Sequence, residues 1–179
     1  MTPPEGGVVV LTGIMASGKS TVAQALAERL PKAAHVRGDA FRRMIVSGGV
    51  EYEGEPGGEA EAQLHLRYRL SASTADAYAD AGFTAVVQDV ILGDELKPYV
   101  DLLRTHPTYV VVLAPRPEAV AAREAARGKT GYGAWTVEDL DAILRERTPR
   151  LGLWLDSTEL TVEETVDAIL ARLGEARVK

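Results

Sequence analysis

The chain has 179 residues, 46% of them hydrophobic and 26% charged, with no cysteine and a formal net charge of −6. That length and composition suit one globular domain able to bury most of its core without a disulfide or a cysteine-held metal, in keeping with a reducing compartment. The acidic balance, with a pI near 5.2, argues against broad electrostatic binding to nucleic acid, which needs a basic face to displace counterions. The apolar runs VVVL and YVVVLA are far too short to span a bilayer. The opening MTPPEGG lacks the basic and apolar regions of a signal peptide, so a soluble cytoplasmic protein is expected.

Apolar β-branched runs alternate with helical periodicity along the whole chain. GVVVLTG, residues 7–13, reads as a buried strand, and residues 19–30, with Val22, Ala25, Leu26 and Leu30 on one face, as a helix. AAHVRGD supplies a second strand, followed by a short helix over 40–47 that ends near Gly48 and Gly49. Residues from about 48 to 60 are acidic and glycine-rich, which predicts a mobile loop on the acceptor side of any cleft. A long helix is expected over 60–81, with Gly82 ending it. FTAVVQDV is the third strand and TYVVVLA the fourth, with a helix over 94–106 between them and Asp94 as its natural N-cap. After PRP come a helix over 118–128, a flexible KTGYG, and a helix over 136–147; a lid is expected over about 123–135. LGLWLD is the fifth strand, and residues 161–176 close the chain as an amphipathic helix. This alternation predicts one α/β domain: a parallel sheet covered on both faces, with ligands bound beyond the carboxyl ends of the strands.

GIMASGKST, residues 13–21, lies at such an end and matches G-x-x-x-x-G-K-[ST] between a strand and a helix. Gly13 and Gly18 let the backbone turn its N–H groups inward, so that Gly13, Ala16, Ser17, Gly18, Lys19, Ser20 and Thr21 are candidates to contact a nucleotide. Lys19 reaches toward the β- and γ-phosphates of ATP, and the Ser20 hydroxyl is placed to ligate Mg²⁺. Thr21 is expected to serve packing or an outer phosphate.

The other strand ends carry the candidate chemistry. Asp39 is placed to accept the proton of an attacking hydroxyl, or to cap the following helix, or both. Arg42 and Arg43 could neutralise phosphate or hold an anionic substrate, against the alternative of a solvated helix face. Asp89 ends the third strand, where a carboxylate holds Mg²⁺ or its waters beside the P-loop serine. Arg123 and Arg127, four residues apart, could close over the nucleotide and stabilise the transferring charge, or belong to an ordinary charged helix. Lys129 is a weaker candidate. Asp156 and Ser157 could meet the adenine or cap a turn. Arg67 or Arg69 could face the acceptor. His35, His65 and His106 show no metal-ligand spacing, and Leu64, Tyr68, Leu70 and Trp154 read as packing.

Taken together, GIMASGKST, VRGDAFRR, VVQDV, AAREAARG and LGLWLDST resemble the small P-loop kinases, most of all the group containing chloramphenicol phosphotransferase and gluconate kinase. The resemblance covers nearly the whole chain, and the P-loop is its most specific part. It implies a five-stranded sheet of order 2-3-1-4-5, ATP-dependent transfer to a small-molecule hydroxyl, and Asp39 as the base. Residues 48–70 match no substrate-binding motif of that group, so the resemblance names no acceptor. Two rival readings are a nucleoside or polynucleotide 5′-hydroxyl kinase and a nucleotide-responsive binding module.

Overall fold

Continuous rather than alternating apolar strands are what a parallel sheet buried on both faces demands. In the computed structural model, which describes residues 3–127 and 134–179, five strands form one sheet: β1 Val8–Thr12, β2 Ala33–Arg37, β3 Thr84–Asp89, β4 Thr108–Leu113 and β5 Leu153–Leu155. All pairings are parallel, and the order is β2-β3-β1-β4-β5, as the resemblance implied. The strands β1, β3 and β4 are buried along their whole length.

The helices are α1 Lys19–Arg29, α2 Gly38–Arg43, α3 Gly58–Asp80, α4 Leu96–Leu102, α5 Pro117–Ala126, α6 Val137–Ala142, α7 Val162–Ala171 and α8 Leu173–Ala176. One apolar layer joins Val9, Leu11 and Val111 of the sheet to Leu26 of α1 and Ile169 of α7. On the other face Val10, Val87 and Val112 pack with Tyr68 of α3, Tyr99 of α4 and Leu144 beyond α6. Each such side chain, taken fully out of water, contributes about 1.5–3 kcal/mol.

Several element ends differ from the sequence reading. The second helix stops at Arg43 instead of reaching residue 47, leaving Met44 67% and Val46 96% exposed. Asp94 caps no helix: it lies inside a 3-10 turn over Gly93–Glu95 that precedes α4, and its carboxylate meets Arg147 at 3.4 Å. The helix expected over 136–147 keeps α-geometry only to Ala142, then widens into a π-turn over Ile143–Arg147. The Thr148 hydroxyl fixes that turn by donating to the Ile143 carbonyl at 3.0 Å while accepting from the Gly93 amide at 2.7 Å. Capping boxes of Thr136 with Asp139 and Thr161 with Glu164 start α6 and α7. Gly82, at φ +83°, follows α3 as expected.

Leu64, Tyr68 and Trp154 pack against the core as expected, whereas Leu70 is 42% exposed on α3, so its reading as packing is corrected. Among the described residues no helix is long and apolar enough to cross a membrane. Of the expected lid over about 123–135, residues 128–133, including Lys129, lie outside the described residues.

Candidate active site

The carboxyl end of β1 sits where the connections leave for opposite sides of the sheet, the place at which an open α/β sheet forms a crevice. Thr12 pins that rim: its hydroxyl donates to the Ile91 carbonyl at 2.8 Å and accepts from the Ile91 amide at 2.9 Å, tying the ends of β1 and β3 together. The loop that follows is wound tightly. Ala16 adopts φ +60° and Gly18 φ +89°, the left-handed values that turn successive amides inward, and Gly18 is the residue from which α1 starts. A Cβ on Gly13 would stand 2.7 Å from the Ser17 Oγ and 2.8 Å from the Leu113 carbonyl oxygen, so only glycine fits there.

Lys19 is buried against this loop, its Nζ donating to the Ile14 carbonyl at 3.2 Å. Burial lowers its pKa to about 8; Asp89 and Asp39 act to raise it, while Arg67 and Arg127 act to lower it further. Ser17 is buried with its Oγ left without a hydrogen-bond partner. Ser20 and Thr21 stand exposed in the first turn of α1. Arg123 leans over the loop from α5, its Nη1 3.3 Å from the Ser17 carbonyl. Arg127 follows α5 and is exposed, close enough for its charge to act on Lys19.

Opposite the loop, β2 runs directly into α2. Asp39 lies in the first turn of α2 without capping it, since Arg37 occupies the N-cap position and no side chain caps the helix. Its carboxylate is bound by Arg42 at 2.9 Å and Arg43 at 2.5 Å, and Arg42 also reaches Glu51 at 2.5 Å. Partial burial works to raise the Asp39 pKa, but the Arg42 hydrogen bond and the charges of Arg42, Arg43 and Arg67 outweigh it, and the carboxyl lies below its ordinary value. Both arginines pair with this carboxylate while remaining open to solvent, Arg42 44% and Arg43 76% exposed.

Asp89, only 1% exposed, is held by Arg67 in a two-pronged pair: Nε to Oδ2 at 2.9 Å and Nη2 to Oδ1, with the Val90 amide donating to Oδ1 at 2.8 Å. Burial pushes the Asp89 carboxyl up, against the pull of Arg67, the Val90 amide and Lys19. Arg67 itself is drawn from α3 to the rim of the sheet, not left on the surface. Gly38 makes this possible. A Cβ there would lie 1.9 Å from the Asp89 Oδ2, so the β2–α2 junction closes onto the carboxylate only because residue 38 has no side chain. Neither this glycine nor the Arg67–Asp89 pair was visible in the sequence reading, although a glycine between a strand and an acidic helix start was the available signal.

Asp156 caps its own turn, accepting from the Thr158 amide at 3.0 Å, and Ser157 is buried with its Oγ unpartnered. His65 has no ligand spacing in the sequence, yet the fold brings it against Glu95, with Nε2 to Oε1 at 3.0 Å, and toward Glu61 at 3.9 Å. The sequence distance between residues 65 and 95 hid that grouping.

A wound glycine loop before a helix, a buried lysine folded onto it and a buried carboxylate at the neighbouring strand end are the parts of a P-loop fold. The AAA domain family model matches residues 8–149. The chain belongs to that family. Among solved structures, this AAA domain is similar to a sugar kinase from Janibacter sp. HTCC2649, at 24% identity and TM-score 0.67 over 97% of this chain and 96% of that one. It is also similar to the APS kinase of Mycobacterium tuberculosis in complex with AMPPNP and APS, at 20% identity and TM-score 0.67 over 96% and 99% of the two chains. A third is the tunicamycin resistance protein of Deinococcus radiodurans, at 20% identity and TM-score 0.63 over 97% and 98%. At these identities the likeness establishes the fold, that of the small P-loop kinases. Among curated proteins none matches the chain.

Proposed function

We propose that this protein transfers the γ-phosphoryl group of ATP to a hydroxyl of a small molecule. The observation that carries the reading is the arrangement across the rim: a buried Lys19 on a nest of inward-turned amides, with Asp39 near enough for its charge to act on the lysine. A module that only sensed nucleotide would have no use for a carboxylate there. The similarity in fold to a sugar kinase and to an APS kinase solved with AMPPNP supports the same reading.

The nest amides and Lys19 would hold the β- and γ-phosphates, with the orphaned Ser17 Oγ available as a further donor. Asp39 would orient the acceptor hydroxyl. As its oxygen bonds to the γ-phosphorus, the bond from that phosphorus to the bridging oxygen of ADP breaks, and the hydroxyl proton passes to the carboxylate. Its low pKa makes Asp39 a weak base, which suits a loose transition state in which the proton leaves late. Arg123 and Arg127 would offset charge on the departing side, within a lid of about residues 123–135. Asp156 and Ser157 would flank the adenine.

The donor set at the rim, a serine hydroxyl and a carboxylate, is the hard-oxygen chemistry Mg²⁺ prefers. Ser20 would ligate it, and Asp89, whose oxygens are engaged by Arg67, would contribute negative charge and hold metal-bound water. When bound, Mg²⁺ would neutralise the phosphate oxygens. Glu51, Glu53, Glu55 and Glu59, with no lysine or arginine over residues 48–60, disfavour a polynucleotide acceptor.

The test is ADP release across a panel of neutral polyols, amino sugars, sugar acids, hydroxylated antibiotics and nucleosides. One acceptor is expected to accelerate ADP release with an equal yield of its phosphomonoester. Hydrolysis indifferent to every acceptor would instead favour the nucleotide-responsive module.

A further inference from the structure

The 23-residue helix α3 is about 35 Å long and buries one side only. Tyr68, Ala72, Ala75 and Ala79 face the core, while Leu66, Leu70, Ser73 and Ala77, spaced i, i+4, i+7 and i+11, form an outward stripe. A helix face turned to water is ordinarily charged, yet Arg69 is the one exposed charged residue between Leu66 and Asp76, since Arg67 turns inward to Asp89. Leu66, Leu70 and Tyr78 are 38%, 42% and 42% exposed. Val50, 49% exposed, is tied to the same helix by its amide donating to the Gln63 Oε1 at 2.8 Å. Below the stripe lies a groove of about 400 Å³ lined by Ser73, Thr74, Ala77, Tyr78, Ala81 and Phe83.

We propose that this face is the interface of a homodimer in which α3 packs antiparallel against α3 of a second copy. The argument for a copy of the same chain is self-complementarity. A two-fold axis crossing α3 between Thr74 and Ala75 sets Arg69 beside the partner's Asp80, Leu66 beside the partner's Phe83, and Leu70 against the partner's Tyr78, at the mouth of its groove. The small Ser73 and Ala77 meet at the centre, where they let two helices approach to about 8 Å. Among the described residues Arg69 has no ion-pair partner, and Asp80 has only the exposed Arg104 at 3.2 Å. One antiparallel register therefore satisfies both the charges and the apolar fit, as an isologous contact requires.

The test is the mass of the full chain by sedimentation across a range of concentrations, with the protomer at 19.2 kDa. A dimer is expected. Leu70→Asp should raise its dissociation constant by at least ~100-fold without changing the far-ultraviolet spectrum. Arg69→Asp should also weaken it, and Arg69→Asp with Asp80→Lys should restore it. Because the chain has no cysteine, Thr74→Cys should form a disulfide-linked dimer on mild oxidation, whereas Glu163→Cys on α7 should not. A monomer at every concentration, a dimer indifferent to Leu70→Asp, absence of charge-swap rescue, or equal cross-linking at both positions would each overturn the proposal.

Discussion

Replacing Asp39 by Asn should lower the rate of phosphoryl transfer by about 10²–10⁴-fold while leaving ATP affinity within about a factor of two. The amide has nearly the shape of the carboxylate, so the start of α2 should persist, and one oxygen remains to accept from Arg42 or Arg43. What is lost is the negative charge that orients an acceptor hydroxyl and takes its proton. Asp39 lies on α2, apart from the P-loop and the start of α1, whose amides would hold ATP. An effect on the rate at saturating ATP, not on nucleotide binding, is therefore the signature. Steady-state kinetics with the acceptor identified in the panel, paired with nucleotide binding, measures both. Full activity in the Asn variant would remove Asp39 from the chemistry.

Arg67→Ala should destabilise the fold by about 3–5 kcal/mol, because it strands a buried carboxylate without its partner. Asp89 is 1% exposed and accepts from Arg67 through both oxygens, with residue 38 packed so closely on it that only a glycine fits there. In the variant the Asp89 carboxyl would be pushed up further by burial, with only the Val90 amide and Lys19 opposing. A carboxyl raised in the folded state favours folding at acid pH and loses that contribution as pH rises through its folded value. The deficit should therefore shrink as the pH is lowered, and a second substitution, Asp89→Asn, should recover part of the loss at neutral pH. Urea denaturation at several pH values reads both effects. An Arg67→Ala protein as stable as the parent would mean that the pair is not what holds α3 to the rim.

The P-loop was legible in the sequence because its physics is local: the glycines, the lysine and the flanking strand and helix all fall within about twenty residues. Strand identity was legible for a related reason, since a strand buried on both faces reads as a continuous apolar run. The partners of Asp89 were not legible. Gly38 and Arg67 lie far from it in sequence, and only the pairing of β2 with β3 and the packing of α3 bring them together. The grouping of Glu61, His65 and Glu95 is hidden in the sequence for the same reason. Leu70 was misassigned because α3 is apolar on both sides. A leucine at helical spacing looks the same whether it faces the core or not, and the alanines that do face the core give a weaker signal than leucines.

The most direct measurement of the central claim is a calorimetric titration of the protein with ATP and Mg²⁺ near pH 8. Lys19, with its pKa lowered to about 8 by burial, is partly neutral there and must be charged to hold phosphate. One site per chain is predicted, with uptake of a fraction of a proton revealed by heats that depend on the buffer's ionisation enthalpy, and Lys19→Ala should abolish both. A protein that gives no binding heat with ATP while Mg²⁺ is present, or that binds equally well after Lys19→Ala, would contradict the account at its root.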